Sequence, residues 1–212
     1  MCKICGLPSN ELILNKISYE KCPGCNFLAK KDSFIVSSEK EFERYQNHEN
    51  DDSSGYRDYQ TRFYEMIKDF LGKCVLDYGC GNNHILSNIL NEYGINSSYY
   101  DLYFYPEMNY KSTKYDSIIL EEVIEHLKDP ISVLKDLILL LNDNGRLIIR
   151  TNLITDKINL NNWWYLRDIT HISFFEFKTF ETICELLTLK IIYCNSKDLI
   201  ILQKAWFMCC YI

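Results

Sequence analysis

Apolar positions along this chain alternate between helical and strand spacing. From Tyr56 to Leu71, Phe63, Met66, Ile67 and Phe70 recur on one helical face, and Gly72 stands where a helix stops. Cys74 to Asp77 (CVLD) is a short apolar run of strand type. Ile85, Leu86, Ile89 and Leu90 form a second helical stripe, ended by Gly94. Ser97 to Asp101 and Tyr115 to Leu120 read as two more strands. Asp129 and Pro130 suit the N-cap and first residue of a helix that buries Leu134, Leu137, Ile138 and Leu141. The turn Asn142-Asp143-Asn144-Gly145 leads into a strand from Arg146 to Thr151. An aromatic loop, Trp163 to Phe175, precedes a helix with Phe177, Phe180, Ile183, Cys184 and Leu187 inward. Leu189–Cys194 and Leu199–Gln203, joined by the polar turn Asn195-Ser196-Lys197-Asp198, read as a hairpin.

Strands alternating with helices predict the α/β class: a Rossmann-like, doubly wound, mostly parallel sheet with a C-terminal antiparallel hairpin. Ahead of it, residues 1–38 hold paired cysteines and short β-like pieces. The polar stretch Gln46 to Gly55 (QNHENDDSSG) reads as a loop or hinge.

Charge narrows the partners. Against 23 Lys and Arg stand 29 Asp and Glu, a formal charge of −6. Such a chain has no global attraction for a phosphate backbone, so nucleic acid is disfavoured and a small-molecule acceptor preferred. No run approaches the about 20 apolar residues of a membrane span, and no secretion signal is visible. The expectation is a cytoplasmic protein whose ten cysteines are metal ligands and buried thiols rather than a disulfide scaffold.

Cys2-x-x-Cys5 and Cys22-Pro-Gly-Cys25 lie 16 residues apart. Four thiolates on two such knuckles can close a tetrahedron around Zn²⁺. The alternative is two reduced thiol pairs, or disulfides. A site with four protein ligands is saturated, so the expected zinc is structural, supplying the folding energy of a small ribbon.

After the first strand of the α/β part comes Tyr78-Gly79-Cys80-Gly81-Asn82-Asn83-His84, then a helix. Glycines here let backbone approach a ligand at a helix N-terminus. Asp101 ends the next strand, 22 residues past Gly79, a spacing suited to ribose hydroxyls.

On these residues the chain resembles the class I S-adenosylmethionine-dependent methyltransferases. The resemblance rests on VLDYGCGNNHIL (Val75–Leu86), YYD (Tyr99–Asp101), YDSIILEEVIEHLKDP (Tyr115–Pro130) and NDNGRLIIRT (Asn142–Thr151), and is strongest to the compact ubiquinone- and menaquinone-methylase-like group. It implies S-adenosylmethionine as cofactor and three segments: a zinc-ribbon-like module (1–38), a helical lid or linker (39–72) and the cofactor-binding methyltransferase domain (73–212). Asp77, Gly79, Cys80 and Gly81 would line the methionine end and Asp101 the ribose. Leu102, with Tyr103 and Phe104, would pack on adenine. Glu121 and Glu122 would sit beside the methionine moiety or the acceptor, and His126 would pack beneath that loop. The chain departs from the pattern at Asn83, where a third glycine is usual. Only 14 residues lie between Asp101 and Asp116, which abbreviates the adenine segment.

The aromatic loop carries Trp163-Trp164-Tyr165-Leu166-Arg167-Asp168-Ile169-Thr170-His171 and resembles the W-x-Y-x-x-D-x-T-H segment of small zinc-bearing methyltransferases. His171 is the candidate base, oriented by Asp168, with Trp164 and Tyr165 against the acceptor. Tyr45, His48 and Arg57 are candidates on a lid. The apolar end, Ala205 to Ile212 (AWFMCCYI), reads as a segment that packs on the sheet edge or contacts a partner. Three functions stay open: methyl transfer to a small polar metabolite or sugar-linked intermediate, methylation of RNA or protein with the zinc module as recognition arm, and a non-catalytic cofactor-binding scaffold.

Overall fold

The computed structural model describes residues 1–47 and 54–205. In chain order its elements are β1 (Asn10–Leu14), β2 (Ile17–Lys21), β3 (Leu28–Lys30), α1 (Ser38–Gln46), α2 (Ser54–Ile67), β4 (Cys74–Tyr78), α3 (Ile85–Glu92), β5 (Asn96–Tyr100), β6 (Tyr115–Glu121), α4 (Pro130–Leu140), β7 (Leu141–Arg150), β8 (Ser173–Phe174), α5 (Phe177–Leu187), β9 (Leu189–Cys194) and β10 (Leu199–Lys204). Short 3-10 turns fill the loops.

Six strands form the large sheet, in the order β5-β4-β6-β7-β10-β9. The β5–β4, β4–β6 and β6–β7 pairs are parallel, and β10 runs antiparallel to both β7 and β9. The central strands are apolar on both faces because both are covered. Successive residues alternate between two cores. Leu76, Ile118, Leu120, Leu147 and Ile149 pack with α4 and α5, whereas Val75, Ile119 and Ile148 pack with α2 and α3. The edge strand β5 (NSSYY) opens with three polar residues and buries only Tyr100 fully, as suits an edge.

The second sheet is β1-β2-β3-β8. Its last strand comes from the aromatic loop: Leu28 pairs with Phe174 and Ala29 with Ser173. The loop is therefore part strand, and the cysteine-bearing module shares a sheet with it. Cys2, Cys22 and Cys25 belong to the same buried cluster as Phe175 and Phe180.

Local differences have simple causes. On α2, Tyr64 is buried and Met66 lies 44% exposed, because the helix packs Phe63, Tyr64 and Ile67 against α3. Phe177 sits at the exposed start of α5. Asn142–Gly145 is an excursion inside β7: Leu141 pairs with Tyr115, then Arg146 with Ser117. Asp116 ties it down, accepting from Asn142 Nδ2 (2.8 Å) and from the Lys73 and Cys74 amides (2.9 and 3.0 Å). Gly72 packs so closely on Asp116 that a Cβ would stand 2.1 Å from the Asp116 Cβ. Asp129 caps α4 through the Ser132 amide, as its sequence predicts. Among the described residues no helix is long and apolar enough to cross a membrane.

Candidate active site

A cleft of about 920 Å³ opens at the C-terminal ends of β4, β5 and β6. This is where open α/β sheets bind ligands. Beyond β4 the backbone turns left-handed at Gly79 (φ 86°) and Gly81 (φ 69°). A Cβ on Gly79 would lie 2.4 Å from Val123 Cγ2, so only glycine fits. The Gly79 and Cys80 amides both donate to the Tyr100 carbonyl (2.7 and 3.1 Å), which fixes the turn to β5. Asn83 is not left-handed; His84 is (φ 39°), and it opens α3. Its ring stacks on Tyr99 at 4.2 Å, and its Nδ1 lies 3.1 Å from the Tyr105 hydroxyl, which donates to the Asn82 carbonyl. Aromatic packing thus braces the turn where the adenine segment is short.

Three carboxyls face this end. Asp77 is 3% exposed and its Oδ2 has no hydrogen-bond partner. Burial, with Glu121 nearby, pushes its pKa up to about 8. An arriving cation would find an unsatisfied acceptor there. Burial also raises Glu121 to about 7, against the pull of Arg150, whose Nη1 donates to it at 3.0 Å. Arg150 in turn lies over the rings of Tyr59 and Phe63 (4.9 and 5.0 Å). Asp101 accepts from Gly81 N on Oδ2 (3.1 Å) and from Tyr103 N and Phe104 N on Oδ1 (2.9 and 3.1 Å). Three of its about four lone-pair positions are used, leaving capacity for a ligand hydroxyl. Leu102 stands on the rim, 64% exposed, and Cys80 lines the wall, its thiol pushed far up by burial.

The far end is built by the aromatic loop. The Tyr165 hydroxyl lies 2.5 Å from Glu125 Oε1, 3.1 Å from Glu122 Oε2 and 3.1 Å from Thr151 Oγ1. One hydroxyl carries one proton, so it cannot donate to both carboxylates. Burial raises the pKa of both acids. His171 donates from Nδ1 to the Tyr165 carbonyl (2.8 Å), which leaves the lone pair on Nε2. Burial holds the pKa of its imidazole below the ordinary value.

The expected pairing of Asp168 with this imidazole does not form. The Asp168 carboxylate accepts from the Thr170 amide and hydroxyl (3.0 and 2.6 Å) and from Arg44 Nη2 (2.9 Å). A carboxylate three residues before a histidine closes a local turn more readily than it reaches the ring. His126, expected as packing, lines the cleft beside His171, with ring centroids 4.8 Å apart. Trp164 also lines the cleft, 61% exposed.

Helix α1 lies across the mouth as a strap. Tyr103 donates to Glu41 (2.5 Å), as does Tyr45 (3.1 Å), and Phe42 stacks on Tyr103 at 5.4 Å. Arg44 holds the other side through Asp168. Tyr45, a lid candidate, lines the cleft. Arg57 is not among the lining residues; it pairs with Glu92 at 2.5 Å on the surface between α2 and α3. His48 lies outside the described residues, as does the apolar end from residue 206. The sequence reading missed Glu41, Arg44, Tyr59, Gln60 and Glu125. Only Glu125 had a local signal, within EVIEH.

The four cysteines meet. Cys2 and Cys25 sulfurs lie 3.5 Å apart, as do Cys5 and Cys22. That is far beyond a disulfide of about 2.05 Å and near the roughly 3.8 Å edge of a tetrahedron with Zn–S bonds of about 2.3 Å. Knuckle amides support them: Ile4 N points at Cys2 Sγ (3.4 Å), and the Gly6 and Asn26 amides close turns on the Cys2 and Cys22 carbonyls (3.0 Å each). The cluster is compatible with zinc. Lys30, on β3 of this module, is 3% exposed and donates to the Ile169 carbonyl at 3.1 Å.

Comparison with known proteins agrees with this architecture. An O-methyltransferase family protein from Burkholderia thailandensis superposes with a TM-score of 0.54 at 13% identity, over 78% of this chain and 63% of that one. The mitomycin 7-O-methyltransferase MmcR superposes at 0.51 with 11% identity, over 77% of this chain and 60% of that one. The chain thus spans about three fifths of the length of these structures, and at such identities the likeness is one of fold. No curated protein matches the chain. A family model described as "Methyltransferase domain" matches residues 45–193, from the strap helix through β9. With that match covering well over half its length, the chain belongs to the methyltransferase-domain family.

Proposed function

We propose that this chain transfers a methyl group from S-adenosylmethionine to a small polar metabolite or sugar-linked intermediate. One observation carries the reading: a single cleft has, at one end, a glycine turn beside a buried carboxyl whose Oδ2 has no hydrogen-bond partner and, at the other, a histidine oriented by a backbone carbonyl. The residues fit the cofactor. Asp77 Oδ2 would take the ammonium of the methionine end, and the glycine turn leaves room for its backbone. Asp101 has a lone pair left for a ribose hydroxyl, and Leu102 with Phe104 would cover the base.

Bound there, S-adenosylmethionine supplies an electrophilic methyl group on a sulfonium. The chain then needs mainly to orient the acceptor and exclude water. Trp164, Tyr165 and Tyr45 would wall the acceptor, and the α1 strap would close over both ligands. His171 Nε2 is the atom set to engage an acceptor hydroxyl. The three segments 1–38, 39–72 and 73–212 would act as structural support, strap and catalytic body, with a structural Zn²⁺ on Cys2, Cys5, Cys22 and Cys25.

The test supplies S-adenosylmethionine with a labelled methyl group and panels of phenols, sugar nucleotides and short RNAs. Label is expected in a small hydroxylated or amino-bearing compound. His171→Ala should lower kcat about 10²-fold or more, with S-adenosylhomocysteine affinity unchanged. Label entering only RNA or protein would overturn the small-molecule reading.

A further inference from the structure

Beneath the acceptor end, Glu125, His126 and His171 each bring one ligand-type atom within 4.8 Å of the other two. Both imidazoles set Nδ1 against a backbone carbonyl, His126 on Thr170 at 3.1 Å and His171 on Tyr165 at 2.8 Å. A carbonyl only accepts, so both rings carry their proton on Nδ1 and their lone pair on Nε2. Glu125 is fully buried; its Oε1 takes the Tyr165 hydroxyl at 2.5 Å and its Oε2 has no hydrogen-bond partner. Ring N–H on carbonyl, and carboxylate on hydroxyl, is how proteins orient metal ligands from behind.

We propose that Glu125, His126 and His171 form a second metal site, for a divalent first-row transition ion, separate from the four cysteines. Two imidazoles and a carboxylate suit such an ion, whereas thiolates select zinc. Donors around bonds of about 2.1 Å stand roughly 3–3.5 Å apart, a closure within reach of side-chain rotation. His126 and His171 line the cleft, so the remaining coordination positions face the acceptor. Resting on the methyl-transfer reading, the ion's role is to acidify an acceptor hydroxyl. The hydroxyl proton leaves to solvent, the oxygen bonds the methyl carbon, and the carbon–sulfur bond breaks with its electron pair staying on sulfur. His171 then holds the ion instead of taking the proton itself.

The experiment titrates Mn²⁺ into the full zinc-loaded chain by calorimetry and electron paramagnetic resonance, with S-adenosylhomocysteine titrated in parallel. One Mn²⁺ per chain is expected. Affinity should fall tenfold or more in each of His126→Ala, His171→Ala and Glu125→Gln. No Mn²⁺ bound by the wild-type chain at millimolar metal, or wild-type affinity in both histidine variants, would overturn the site. Should the variants fail to fold, the wild-type stoichiometry alone decides. Binding of S-adenosylhomocysteine without Mn²⁺ ends this proposal and spares the methyl-transfer reading; Mn²⁺ without S-adenosylhomocysteine does the reverse.

Discussion

Replacing Asp101 with alanine is expected to weaken S-adenosylhomocysteine binding by about 10–10²-fold, from one lost charge-assisted hydrogen bond of about 1.5–3 kcal/mol. The structure adds a second consequence. The same carboxylate accepts the amides of Gly81, Tyr103 and Phe104, so alanine also leaves three backbone donors of the cleft without a partner. The variant should therefore melt several degrees lower, at about 2–4 °C per kcal/mol for a chain of this size. Asp101→Asn separates the two effects. Its carbonyl oxygen can still accept from Tyr103 and Phe104, while its amide cannot accept from Gly81. The expected order of melting temperature is wild type, asparagine, alanine, with both variants defective in binding. Calorimetry and thermal melts check it. Wild-type affinity in Asp101→Ala would remove the ribose assignment.

The second large effect concerns the cysteine cluster. Were the module an independent arm, losing its metal would leave the cleft intact. Instead β3 pairs with β8 of the aromatic loop, Lys30 reaches the Ile169 carbonyl, and the cysteines share a core with Phe175 and Phe180. Cys22→Ser, or stripping with a chelator, is expected to lower the melting temperature by about 10 °C or more, since structural zinc supplies folding energy directly. It should also abolish methyl transfer, because the loop bearing Trp164 and His171 loses its anchor. S-adenosylhomocysteine binding should survive better than turnover, since the glycine turn sits on the large sheet. Metal analysis of the purified chain should give one zinc on the four cysteines. Full turnover in a chain stripped of that zinc would contradict the account.

What the sequence made legible follows from range. The central strands, the glycine turn and the cysteine knuckles are written in neighbouring residues, where apolar runs, glycine freedom and C-x-x-C spacing act locally. At Asn83, where the family pattern has a third glycine, the backbone is not left-handed; His84 takes that conformation, held by Tyr99 and Tyr105. Other features depend on distant pairing. Arg44 meets Asp168 across 124 positions, and Asn26 meets Glu176 across 150. No periodicity announces such contacts. Sequence proximity pairs Asp168 with His171, yet Thr170 is nearer and Arg44 carries charge. Arg57 looked like a lid residue from its motif, but its helix turns it toward Glu92.

Calorimetry of S-adenosylhomocysteine against the wild-type chain asks the central question most directly. The expected result is one molecule bound per chain with a micromolar Kd, about −8 kcal/mol. Absence of heat at several hundred micromolar ligand would contradict the whole functional account.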